Sequence, residues 1–152
     1  MSTFTNLLYH IVFSTKYRKP LINLAWQDEL YGYIGGIVRN ENGTLLNIGG
    51  VADHVHLLLK LRATVTISDL LRKVKANSSR WVNERSDMKQ RFEWQTGYAA
   101  FSVSESQVNR LRDYIDNQAE HHQRTSFKDE FLALLDKHQI DFELKYLFEA
   151  ES

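Results

Sequence analysis

The 152-residue chain contains no cysteine. That removes disulfides, thiolate zinc sites and a cysteine nucleophile, and it fits a cytoplasmic protein. There is one proline, Pro20, and no run approaching the roughly 20 apolar residues needed to cross a bilayer. The opening residues MSTFTNLLYH carry neither the basic region nor the small-residue cleavage site of a secretory leader. Low-complexity stretches, internal repeats and long linkers are also missing, so a single domain over 1–152 is expected. With 43% hydrophobic and 25% charged residues, the composition is that of a soluble globular chain.

Net charge is lacking too, because 19 Lys and Arg balance 19 Asp and Glu. A neutral total argues weakly against a nucleic-acid partner, but the distribution argues the other way. Residues 60–91 hold nine Lys/Arg against three Asp/Glu, whereas residues 92–152 hold six against twelve. Such an asymmetry can put a basic face on a neutral protein. Two oppositely charged solvated faces account for it equally well.

What is present is a regular alternation of strand and helix patterns. Residues 4–14 are β-branched and aromatic-rich and read as a first strand, followed by the loop STKYRKP. A ragged apolar stripe over 23–40 reads as a helix weakened by Gly35-Gly36. Strands at about 44–51 and 54–61 form a hairpin around Ala52-Asp53, and a helix follows at about 67–85. Residues 98–103 read as a fourth strand entered through Gly97. Ser104 with Gln107 has the spacing of a capping box and opens a third helix through about His122. A last helix covers about 127–138, and the aromatic tail DFELKYLFE is expected to pack. This order predicts an α+β fold, one antiparallel sheet covered by helices, with the split βαβ pattern of a ferredoxin-like domain.

His54 and His56 flank Val55 at the head of the run Leu57-Leu58-Leu59. Side chains alternate along a strand, so both imidazoles project from one face. Two neutral imidazoles on a rigid strand make half of a metal site, although hydrogen-bonded core histidines would produce the same pattern. On the third helix Tyr114 and Gln118 stand at i and i+4, at the margin of an apolar face built on Leu111 and Ile115. That helix can deliver a third ligand and a nucleophile together. His121 and His122 compete with Gln118 as ligand, or serve as exposed histidines at a helix end. Asp53 reads as a turn residue or as a group that tunes the site. His10 reads as structural, and Trp94 and Tyr98 read as core residues or base-stacking ones.

The ordered set YHIVFSTKYRKPL, GGVADHVHLLL, LLRKVKANSSRWV, WQTGYAAFSVS and YIDNQ resembles the single-tyrosine HUH transposases of small insertion sequences and their REP-associated relatives. The resemblance covers nearly the whole chain. It implies that His54, His56 and Gln118 hold a divalent ion, Mg²⁺ or Mn²⁺, and that Tyr114 is the nucleophile. Such an ion would polarise a phosphodiester, and attack by the phenol would leave a 5′-phosphotyrosine and a free 3′-hydroxyl. A second 3′-hydroxyl could then reseal the strand without ATP. The resemblance further implies hairpin-bearing single-stranded DNA as substrate and a homodimer in which the tyrosine helix can complete the partner's site; the lack of a spanning apolar run predicts no membrane partner. Candidate DNA contacts are Lys16, Tyr17, Arg18 and Lys19, with Arg72, Lys73 and Lys75 on the basic helix. Two rival readings are a hairpin-binding protein without catalysis and a metal-dependent phosphodiesterase with no covalent step.

Overall fold

In the computed structural model, which describes residues 1–85 and 87–147, period-2 apolar patterns become four strands. These are β1 (Leu7–Ser14), β2 (Gly43–Val51), β3 (His54–Leu61) and β4 (Ala99–Val103). They form one sheet in the order β2-β3-β1-β4, with every neighbouring pair antiparallel. The helices are α1 (Gln27–Asn40), α2 (Ile67–Asn83), α3 (Val108–Asp116), α4 (Gln118–His121) and α5 (Phe127–Lys137). Short 3₁₀ turns lie at Lys16–Arg18, Glu105–Gln107 and Leu144–Tyr146. With β3 between β1 and β2, this is the expected split βαβ arrangement of an α+β fold.

The two faces of the sheet do different jobs. Val55, Leu57, Leu59 and Leu61 of β3 join Ile11 and Phe13 of β1 beneath Leu30, Ile34 and Val38 of α1 and Leu70, Leu71, Val74 and Val82 of α2. Each such side chain contributes about 1.5–3 kcal/mol of burial, so this is the stabilising side. The opposite face carries a smaller cluster of Val12, Ala99, Phe101, Phe127 and Leu135. On that side the even positions of β3 place His54 and His56, both fully buried.

The tyrosine-bearing helix is seated on β2 by three devices. Gly49 leaves room for it, since a Cβ there would stand 2.5 Å from the Ile115 carbonyl oxygen and 2.9 Å from its Cγ2. Asn47 Nδ2 donates to the Arg112 carbonyl at 3.2 Å and to Asp116 Oδ1 at 3.0 Å. Arg112 in turn donates to the Leu46 carbonyl at 2.7 Å, beside the irregularity in register between Leu45 and Asn47.

Several boundaries differ from the sequence reading. β1 begins at Leu7 rather than residue 4, and α1 at Gln27 rather than residue 23. Asn23 delays the helix because its side-chain oxygen accepts from the Ala25 N–H at 2.8 Å, a local turn that competes with helical bonding. The expected capping box does not form: Ser104 Oγ meets Ser106 Oγ at 3.1 Å, and a 3₁₀ turn precedes α3. The single helix expected through His122 breaks at Asn117, whose side chain donates to the Asp113 carbonyl at 2.8 Å. In the tail, Leu147 packs on the smaller cluster, whereas Phe142, Leu144 and Tyr146 are exposed. Phe148 and Glu149 lie outside the described residues.

Candidate active site

The outer nitrogens of the β3 histidines are fixed first. His54 Nδ1 lies 2.7 Å from Asp53 Oδ1, so the turn residue also orients the imidazole beside it. His56 Nδ1 lies 2.8 Å from His10 Nε2, with the two rings stacked at 5.1 Å. His10, read from sequence as structural, therefore supports the pair from β1. Partners on Nδ1 fix the ring orientation and leave each Nε2 for the site interior.

The helical residues converge on the same point. Gln118 is buried at the start of α4 and places Oε1 3.1 Å from His54 Nε2. Tyr114 sets its ring edge-on to His56, with centroids 5.6 Å apart. All four residues singled out by sequence thus meet within one chain, Tyr114 beside its own histidines.

The convergence point is a residue the sequence reading missed. Glu130 of α5 is buried, and its Oε1 stands 3.3 Å from His54 Nε2, 3.1 Å from His56 Nε2 and 3.1 Å from His122 Nε2. Its Oε2 accepts from Gln118 Nε2 at 3.1 Å and from the Tyr114 hydroxyl. His121 Nε2 also approaches that oxygen, at 3.3 Å. Ser126 starts α5 by accepting from the Asp129 N–H at 3.1 Å, which places Glu130 within the first turns. The available signal was its position: Phe127, Glu130, Phe131 and Leu134 share one helical stripe, and an acid inside an apolar stripe calls for a partner.

The donor set suits a divalent metal. Three Nε2 atoms facing one carboxylate oxygen are satisfied by protons on the rings or by a cation held in common. His54, His122 and Glu130 offer donor atoms that all lie within 4.8 Å of one another. Ligands that share an ion at about 2.0–2.2 Å stand roughly 3 Å apart, close to the spacing found around Glu130. Imidazole, carboxylate and amide oxygen form a donor set open to Mg²⁺, Mn²⁺ or zinc. His122 supports this use, because its Nδ1–H donates to the Thr125 carbonyl at 2.7 Å and leaves Nε2 facing inward.

The charges follow from burial and from these contacts. Burial disfavours the His54 imidazolium, but hydrogen bonds to Asp53 and Glu130 outweigh it and push the group up to about 9. At His56 burial prevails over Glu130, and the pKa falls. His10 is lowered to about 3 by burial and by the neighbouring His56. Burial alone would raise Glu130, yet hydrogen bonds from His54, His56 and Tyr114 hold its carboxyl well below the usual carboxylate range. Tyr114 is pushed above the ordinary phenol value by burial and by the Glu130 carboxylate. Glu130 is therefore an anion, and Tyr114 a protonated phenol donating to it.

The candidate nucleic-acid contacts separate into groups. Lys16, Arg72 and Lys75 line one groove of about 520 Å³, together with Arg91. Glu93 offsets part of that charge, standing 3.4 Å from Lys16 and 2.9 Å from Arg91. Tyr17, Arg18 and Lys19 lie on or beside the adjoining 3₁₀ turn, with Lys16 and Lys19 over the Tyr17 ring. Lys73 does not line this groove; it pairs with Glu41 at 2.7 Å. Trp94 packs edge-on between Phe13 and Phe92 and donates to Ser78 Oγ at 2.9 Å, partly buried against the core while also lining this groove, whereas Tyr98 is exposed.

The family described as IS200-like transposases matches residues 3–118, a span that includes His54, His56, Tyr114 and Gln118 and ends before α5. The transposase for insertion sequence element IS200 of Salmonella typhimurium is 31% identical over 124 residues, covering 76% of this chain and 78% of that protein. The ISDra2 transposase TnpA of Deinococcus radiodurans is 26% identical over 117 residues, covering 74% of this chain and 84% of that protein. A crystal structure of a candidate transposase from Deinococcus radiodurans superposes with a TM-score of 0.63 at 27% identity, covering 78% of this chain and 95% of the other. A REP-associated tyrosine transposase, solved bound to a REP hairpin, shares the fold with a TM-score of 0.61 at 15% identity, covering 80% and 74%.

Proposed function

The chain belongs to the IS200-like transposase family, and on that premise we propose that it nicks and rejoins single-stranded DNA through Tyr114 with the help of a divalent metal. The observation that carries this reading is the double contact of Glu130. One carboxylate oxygen faces three imidazole nitrogens, and the other accepts the Tyr114 hydroxyl. A candidate metal-ligand set and a candidate nucleophile thus meet at a single carboxylate, which puts both groups that the proposed phosphodiester transfer needs in one site.

His54, His56 and Gln118 would hold the ion, with Glu130 and His122 beside them. Bound there, a divalent ion supplies charge stabilisation to a nonbridging phosphate oxygen in the transition state. Asp53 and His10 keep the two imidazoles oriented from behind. Glu130 Oε2 accepts from the Tyr114 hydroxyl and so aims the phenol. As Tyr114 Oη bonds to phosphorus, the P–O3′ bond breaks. The phenol gives up one proton and the departing O3′ gains one, so the step is balanced. One phosphodiester is exchanged for one phosphotyrosine ester, and attack by another 3′-hydroxyl reverses it.

Hairpin-bearing DNA is the proposed substrate, in keeping with the hairpin held by the REP-associated relative. The groove of Lys16, Arg72, Lys75 and Arg91 is the proposed seat for its phosphates. The test is to incubate labelled hairpin-bearing single strands with Mn²⁺ and look for an adduct that survives denaturation. We expect one with the native chain and none with Tyr114→Phe. Cleavage without an adduct would replace this reading with hydrolysis, and binding without cleavage would replace it with a purely DNA-binding role.

A further inference from the structure

The buried metal-ligand set and the partly exposed nucleophile raise the question of how a strand reaches them. His54, His56 and Gln118 are nearly or wholly inaccessible, whereas Tyr114 lines an open cleft of about 730 Å³. The cleft lies between the end of β4, the outer face of α3 and the C-terminal end of α5. Its rim carries Arg110 and Lys137, and among the described residues no carboxylate lines it. That selection runs against the local composition, since residues 92–152 hold twelve acidic and only six basic side chains. Neither cation has an ion-pair partner among the described residues, unlike Lys73 or Arg91 elsewhere.

The spacing is equally specific. Arg110 and Tyr114 stand at i and i+4 on one face of α3, so the guanidinium is rooted about 6 Å along the helix from the nucleophile. That is of the order of one nucleotide step along a single strand. On the other wall His138 stacks on the buried Phe101 ring, with centroids 4.2 Å apart and planes 16° apart. A ring backed in this way presents a flat face of the kind on which unpaired bases stack.

We infer that this cleft seats the nucleotide adjoining the scissile phosphate, with Arg110 and Lys137 holding its phosphate and the His138–Phe101 pair its base. The inference rests on the proposed function, because it assumes that Tyr114 is the attacking group. It assigns the substrate path to a surface separate from the Lys16–Arg72–Lys75 groove, the proposed seat of the hairpin phosphates.

The experiment measures fluorescence anisotropy of labelled oligo(dT), about twelve nucleotides long, across a series of salt concentrations. The native chain is compared with Arg110→Ala/Lys137→Ala and with Arg72→Ala/Arg91→Ala. Loss of the contacts to one phosphate of a single strand should lower the slope of log K against log salt by about 0.7 and weaken binding about fivefold near 0.1 M salt. Arg110→Lys/Lys137→Arg should restore the slope. These exposed positions should leave the circular dichroism spectrum unchanged. If the cleft double variant keeps the native slope while the groove variant loses it, the cleft assignment is overturned. Adduct formation by the native chain on hairpin DNA is scored separately. An adduct with an unchanged cleft variant defeats only this inference; a cleft-dependent slope without any adduct defeats only the proposed chemistry.

Discussion

Glu130 sits among four imidazoles, a phenol and an amide, and its ionised state is what reconciles them. A buried carboxylate in such company does two separable things: it supplies negative charge to a cation, and it accepts the Tyr114 hydrogen bond. Glu130→Gln removes the first while keeping an oxygen for the second. We expect Mn²⁺ affinity, measured by isothermal titration calorimetry, to fall about 10–100-fold, the range seen when groups supporting metal sites are altered. Affinity unchanged in the variant would remove Glu130 from the metal's surroundings and leave it as a partner of Tyr114 alone. The contrast with Tyr114→Phe is informative, because that change should leave metal affinity near native while abolishing the adduct.

At the scale of elements, the position of Tyr114, the proposed nucleophile, is set by how closely α3 approaches β2. Gly49→Ala would force a methyl group to within 2.5 Å of the Ile115 carbonyl, which is backbone and cannot swing aside. The helix must lift, and overpacking of this kind costs about 1–3 kcal/mol. A displacement of an ångström at Tyr114 should lower the rate of adduct formation about 100-fold. Urea unfolding and adduct kinetics check the two effects, with Gly36→Ala as the comparison. A Cβ at Gly36 meets nothing within 4 Å, and it lies inside α1, so alanine there should stabilise by about 0.5–1 kcal/mol without touching the rate. The same elements show what sequence patterns convey. A period of two placed His54 and His56 on one face of β3, and i, i+4 spacing placed Tyr114 with Gln118; both are local rules that survive folding. Glu130 was hidden because its role depends on α5 folding back over the sheet, which no local spacing specifies. The break at Asn117 escaped for a related reason: a side chain that bonds its own backbone can end a helix inside an unbroken apolar pattern.

Across the whole molecule, the apolar core and the proposed active site occupy opposite faces of one sheet. The α1–α2 side buries an almost purely apolar layer, while the other side buries His10, His54, His56, Gln118 and Glu130 with a much smaller apolar cluster. A face held by polar groups contributes little until its charges are matched, so a bound cation should strengthen the docking of α5 and, through it, the fold. Ligand linkage gives the size: at 100 times the dissociation constant, a metal that binds only the native state adds about 2.7 kcal/mol. For a chain of this length, each kcal/mol raises the melting temperature by about 2–4 °C, so Mn²⁺ should raise it by roughly 5–10 °C over the EDTA-treated protein. The shift should vanish in His54→Ala and persist in Tyr114→Phe, since only the first removes a proposed ligand. Changes confined to the apolar side provide the control. Leu57→Ala should lower the melting temperature with and without metal by similar amounts, through about 2–5 kcal/mol of lost burial and cavity formation. A metal shift that survives in His54→Ala would place the ion elsewhere and separate the buried histidines from it.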